Sequence, residues 1–186
     1  MIYMSLSYRS LTGLAVPAVL LTLLFGTMYG CGHYILRQSA DDPQIQLSED
    51  AAQKLEISAE AAQPLTNGSI DVATSLAPYV VLYSTDGQPI SGNGYLDSML
   101  PALPLGVLTT AGEKGQNRIT WQPRPGLRQA LVITKAGAKG FAVSGRSLRE
   151  TENRISQLSS FIVFGWIVSL LLLAGGLWSK KTELRR

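Results

Sequence analysis

Residues 161–178 read FIVFGWIVSLLLLAGGLW, inside a charge-free stretch that runs from residue 155 to residue 179 and stops at Lys180 and Lys181. A helix needs about 20 predominantly apolar residues to cross the roughly 30 Å of bilayer hydrocarbon, so this stretch predicts a transmembrane helix over residues 159–179. Further back, residues 11–30 read LTGLAVPAVLLTLLFGTMYG, within a second charge-free stretch over residues 10–36. That predicts a first span over residues 11–36, too long for the apolar region of about 7 to 15 residues in a cleaved signal peptide. Pro17 is tolerated there because neighbouring groups can satisfy the carbonyl it frees. Met28, Tyr29 and Gly30 ahead of Cys31 do not match the Leu and two small residues of a lipid-attachment signal.

The distribution of charge gives the spans a direction. The chain carries 16 Lys and Arg against 13 Asp and Glu, a formal charge of +3. Between residues 37 and 160 the count is 11 basic to 12 acidic, so the excess belongs to the tails and nucleic acid is not the implied partner. Arg9 precedes the first span, and Lys180, Lys181, Arg185 and Arg186 follow the second. By the positive-inside rule, residues 1–10 and 180–186 are then cytoplasmic, and residues 37–158 form an extracytoplasmic domain of a plasma-membrane protein. Trp178 belongs at headgroup level beside the lysines. Charged residues make up only 16% of the chain, below the roughly 25% of soluble domains, so lipid is the first expected partner.

Within the domain, QSADDPQIQLSEDAAQKLEISAEAAQPL (residues 38–65) predicts a helix with Ser48 as N-cap before Glu49 and Asp50, ended by Pro64 and the Asn67-Gly68 pair. The β-branched and aromatic run YVVLY (residues 79–83), followed by Asp86-Gly87, predicts a hairpin with its first strand central in a sheet. A short helix is expected within residues 97–112. Three strands follow, at residues 117–122, 129–135 and 140–144, separated by Pro123-Arg124-Pro125-Gly126 and by Gly137, and they predict an antiparallel meander. Ser147, Leu148, Arg149 and Glu150 fit a capping box, opening a helix whose Leu148, Ile155 and Ile162 lie seven apart and which runs into the second span.

The fold class read from this order is α+β: two transmembrane helices flank a five-stranded antiparallel sheet, with a long N-terminal helix and a C-terminal helix entering the second span. In that order the chain resembles the PAS-like and Cache-like extracytoplasmic sensor domains of bacterial transmembrane signalling proteins, and its stretches NRITWQPRPGLRQALV and FAVSGRSLRE resemble a pattern of bacterial membrane proteins of this layout. The resemblance covers residues 43–158, without a diagnostic Cache ligand motif. Only residues 179–186 follow the second span here, which leaves no room for a HAMP linker, a kinase or a signalling coiled coil. The resemblance therefore implies a non-catalytic sensor or interaction module acting through a separate partner. Its alternatives are a structural or assembly subunit of an envelope complex and the sensor fragment of a longer histidine kinase.

The residues offer little for catalysis. His33 is the only histidine, beside Cys31 at the outer end of the first span, so neither a metal centre of three or four N or S ligands nor a histidine-activated nucleophile can be assembled in the domain. Neither a P-loop nor GxGxxG occurs. The expectation is no enzyme, no cofactor and no metal site. One charge asymmetry remains. Residues 37–113 carry ten acids and two bases, whereas residues 114–160 carry nine bases and only Glu150 and Glu152 as acids. Either the acidic helix faces the basic strands in surface pairs, or Arg118, Arg124, Arg128 or Arg146 receives a small anionic ligand. A ligand pocket between sheet and short helix would have Tyr83 and Trp121 as aromatic walls and Arg128 as a polar contact, with ordinary core roles for the two aromatics as the competing reading. In the spans, Gly26, Gly30, Gly165 and Ser169 have the small-xxx-small spacing that lets helix backbones approach, either within the chain, in a homodimer or against another membrane protein.

Overall fold

The computed structural model describes the backbone of residues 2–39 and 41–183, and side chains among residues 13–176 apart from 14, 40 and 64. The side chains of Arg9, Trp178, Lys180, Lys181, Arg185 and Arg186 lie outside the described residues. The chain divides into two compact units, one of the apolar helical segments Met1–Leu36 and Asn153–Arg186, the other Arg37–Glu152.

In the helical unit, α1 (Ile2–Gln38) and α5 (Arg149–Glu183) each contain a window long and apolar enough to cross a membrane. Leu20 is 62% exposed, Phe161 74% and Leu172 72%. The two segments touch through a narrow seam. Trp166 Nε1 donates to Thr22 Oγ1 at 3.1 Å. A Cβ on Gly165 would stand 3.1 Å from the Phe25 ring, and one on Gly32 would stand 2.6 Å from Leu158 Cδ2. Gly165 thus serves intrachain packing. Gly26 and Gly30 do not, since a Cβ at either meets nothing within 4 Å, and Ser169 Oγ donates to Gly165 O within its own helix at 2.7 Å.

The other unit is a sheet covered on both faces. Its elements are α2 (Asp42–Ile57), α3 (Ala59–Thr66), β1 (Ile70–Asp71), β2 (Tyr79–Tyr83), β3 (Pro89–Gly92), β4 (Gly94–Tyr95), α4 (Leu105–Lys114), β5 (Gln116–Arg124), β6 (Leu127–Ala136) and β7 (Gly140–Ser147). Five strands lie antiparallel in the order β3-β2-β7-β6-β5, and β1 pairs with β4 in a separate two-residue parallel ladder. The hairpin, short helix and meander thus match the expected order. The last strand, β7, inserts between the hairpin and β6, pairing Val81 with Val143 on one side and Ile133 with Val143 on the other.

Alternation along these strands sends side chains to two cores. Tyr79, Val81, Tyr83, Leu131, Ile133 and Val143 face Leu108 and Ala111 of α4, with Val72 and Leu103 from loops. Val80, Leu82, Ala136 and Ala142 face Ala51, Ala52 and Leu55 of α2 and Ala62 of α3. The small residues of α2 let it lie close against the sheet. All five residues of β2 are buried because both faces are covered.

Two helix ends differ from the expectation. Ser48 is no N-cap: α2 starts at Asp42, with proline in its first turn, where a missing N–H costs nothing. Ser48 lies buried mid-helix, donating to Ile45 O at 2.9 Å and sharing a 2.8 Å hydrogen bond with Thr134 Oγ1 of β6. The predicted single helix is also broken at Ser58, whose extended backbone ends α2 and whose Oγ accepts from Ala61 N at 3.0 Å to cap α3. At the start of α5, Ser147 Oγ accepts from Arg149 N at 3.4 Å, and Arg146 Nη2 donates to Glu150 Oε2 at 3.1 Å.

Candidate functional site

The β5–β6 hairpin turns at Pro125 and Gly126, and Gly126 has φ +78°, a conformation glycine adopts without strain. This tight turn puts Arg124, at the end of β5, beside Arg128 near the start of β6. Gln129 of β6 pairs in register with Ser147, the last residue of β7, so the first turn of α5 arrives at the same end of the sheet. Arg124, Arg128, Ser147, Arg149 and Glu152, closed by Ala73, line a cleft of about 250 Å³.

The three guanidiniums of the cleft are held differently. Arg128 Nη1 donates to Glu152 Oε1 at 2.5 Å. Arg124 Nη1 reaches Asp97 Oδ1 at 3.4 Å, both side chains well exposed, a pair worth about 0–1 kcal/mol. Arg149 Nη2 donates to Ala73 O at 3.0 Å and Thr74 O at 3.5 Å. Those neutral carbonyls orient the fork without cancelling its charge. Three guanidiniums and one carboxylate, that of Glu152, line the cleft, and Asp97 pairs with Arg124 at its edge.

Arg124 also borders a second, larger cleft of about 570 Å³ with Asp71, Tyr95, Asp97 and Ser98. Asp97 (φ 53°) and Ser98 (φ 66°) are the centre of a tight turn closed by Leu96 and Met99, which exchange hydrogen bonds of 2.8 and 3.1 Å. Both central residues are in the left-handed region, as a type I′ turn demands. The Ala73 N–H and the Thr74 hydroxyl donate to the Asp71 carboxylate at 2.8 and 2.9 Å and hold it below the usual carboxylate range.

Of the three residues expected around one pocket, Tyr83 and Trp121 share one apolar cluster and Arg128 lines the basic cleft. Tyr83 is fully buried, its hydroxyl donating to Pro101 O at 2.6 Å, and Trp121 packs half-buried against the same apolar cluster. Arg128 belongs to the basic cleft. Of the four arginines considered for an anion, Arg124 and Arg128 meet there. Arg118 forks onto Gln116 Oε1 at 3.1 and 3.0 Å, and Arg146 pairs with Glu150. The acids of α2 meet β5 by another route, with Gln116 Nε2 donating to Glu49 Oε1 at 3.1 Å. Sequence reasoning missed Arg149 and Ser147 as cleft residues, although both stand in the quoted cap motif. The available signal was a cation in the first helical turn, where the macrodipole favours acids.

Among the described residues, no three His, Cys, Asp or Glu side chains gather to hold a metal ion. No protein-family model, curated protein or solved structure matches this chain.

Proposed function

We propose that this chain is a non-catalytic, membrane-anchored sensor or interaction module of the PAS-like kind, with its α+β domain outside the cytoplasm and both termini inside. The observation that carries the reading is the combination of two exposed apolar helices with a single domain threaded between them. Lipid would solvate such helices, and a domain inserted between two spans is displayed at one membrane face. The five-stranded antiparallel sheet supports the sensor-domain part of the proposal, and the basic cleft supplies a place for a ligand. Output passes to a separate membrane partner, for which the open Gly26 and Gly30 face of α1 offers close backbone approach.

Topology is the direct test. In a Cys31→Ser background, a cysteine at the exposed Asp86 should react with an impermeant maleimide in intact cells, and one at Thr182 only after lysis. Labelling of Thr182→Cys alone in intact cells would reverse the orientation, and labelling of both positions there would end the membrane-anchored reading.

A further inference from the structure

We propose that the Arg124, Arg128 and Arg149 cleft binds a phosphate ester, which makes phosphate the chemical group that the module recognises. This rests on the sensor or interaction reading for its biological sense, but not for its chemistry. The three guanidinium-bearing residues come from three different elements, β5, β6 and α5, and all line the 250 Å³ space. A carboxylate is planar and presents two oxygens, which suits one or two forks. A tetrahedral phosphate presents its oxygens out of plane and can be met from three directions, each by paired N–H donors.

The surroundings fit the same ligand. Arg149 is fixed by carbonyls that leave its charge uncompensated. Arg124 makes a long, exposed contact to Asp97, which an incoming phosphate can displace at little cost, and lies near the Asp71 carboxylate. Ser147 is buried, and its Oγ accepts from Arg149 N, so its own proton can be donated toward the cleft. Glu152 offsets Arg128 and limits the net charge, which favours a phosphate monoester over a polyphosphate. Two sources share this chemistry. One is a soluble phosphate ester. The other is a phospholipid headgroup, because Arg149 stands six residues ahead of Ile155, where the charge-free stretch begins.

The test uses the full chain in a maltoside detergent, which contains no phosphate, with thermal unfolding followed by near-UV circular dichroism. A ligand that binds the folded state raises Tm by mass action. Glycerol 3-phosphate, or short-chain phosphatidic acid added to the micelles, should raise Tm saturably, and acetate at matched ionic strength should not. Stabilisation by the first assigns a soluble source, and by the second alone a lipid source. Arg124→Gln and Arg149→Gln should each weaken binding by about tenfold or more, as loss of a charge-assisted fork implies, whereas Arg118→Gln, outside the cleft, should not. Should a glutamine variant fail to fold, Arg124→Lys keeps the charge and removes only the fork, and it should still bind more weakly. Equal stabilisation by acetate, no stabilisation by either phosphate, or equal weakening by Arg118→Gln would each overturn the assignment. None of these outcomes bears on topology, which the maleimide experiment reads separately.

Discussion

Tyr79 and Tyr83 sit four residues apart on β2, point into the same core, and should respond in opposite directions to the same substitution. Both are buried, at 2% and 0% exposure. The Tyr83 hydroxyl donates to Pro101 O at 2.6 Å, but the Tyr79 hydroxyl has no hydrogen-bond partner. Its ring is pinned over two glycines: a Cβ on Gly145 would stand 2.5 Å from the Tyr79 hydroxyl and 2.6 Å from Leu131 Cδ2, and one on Gly94 would overlap the ring itself. Removing a bonded buried hydroxyl costs about 1–2 kcal/mol, and removing an unpaired one recovers a desolvation penalty of about 1 kcal/mol or more. Tyr83→Phe should therefore destabilise the domain and Tyr79→Phe should stabilise it. For Arg37–Glu152, an unfolding entropy of about 2.1 cal/mol/K per residue turns each kcal/mol into roughly 4 °C of Tm. The assay is thermal and urea unfolding of the detergent-solubilised chain, read by near-UV circular dichroism. A loss of 1 kcal/mol or more in Tyr79→Phe would refute the reasoning, and would point to a buried water bonded to that hydroxyl.

Other expectations follow from the same packing. Burial pushes both tyrosine hydroxyls well above their ordinary value near 10; the folded state therefore binds these protons more tightly than the unfolded one, and stability should be intact below about pH 10 and fall as pH rises above it, as alkaline unfolding monitored by tyrosinate absorbance will show. Gly145→Ala should cost about 1–3 kcal/mol through overpacking against Tyr79 and Leu131, measurable in the same urea transitions. Ser48→Ala removes the hydrogen bond to Thr134 and should cost about 1 kcal/mol, with faster amide exchange in α2. In the helical unit, Gly165→Leu and Gly32→Leu should lower the yield of an engineered Thr22→Cys, Trp166→Cys crosslink in a Cys31→Ser background, whereas Gly30→Leu should leave it unchanged and weaken only association between chains. Equal loss in all three variants would mean that the seam observed between Phe25 and Gly165 is not the packing surface.

Several features could be read without any structure because they depend on local pattern alone. Charge-free runs of more than 20 residues mark the two apolar helices, since no later packing event can supply water to them. Asp86-Gly87 after YVVLY marks the first hairpin, because its turn needs a left-handed residue and Gly87 has φ +79°. The meander from β5 to β7 follows in the same way from its turns. Ser48 shows where this kind of reading stops. A serine before two acids satisfies the pattern of an N-cap, yet in the fold its hydroxyl meets Thr134, 86 positions away.

The glycines and arginines show the same division. Small-xxx-small spacing identifies faces able to pack, but which face is used depends on where the partner helix lies, and here Gly32 and Gly165 meet side chains while Gly26 and Gly30 stay open. The basic second half of the domain announces an electropositive surface. Only strand register, which pairs Gln129 with Ser147 and Arg124 with Leu127, decides that Arg124, Arg128 and Arg149 share one cleft while Arg118 and Arg146 do not. The two long apolar helices, the hairpins and the sheet-forming segments were legible in the residues, because hydrophobic period and turn chemistry act over a few positions. The tertiary structure alone decided the cleft and the helix seam, because both require side chains far apart in the chain to be brought within a few ångströms, and that is set by long-range pairing and burial.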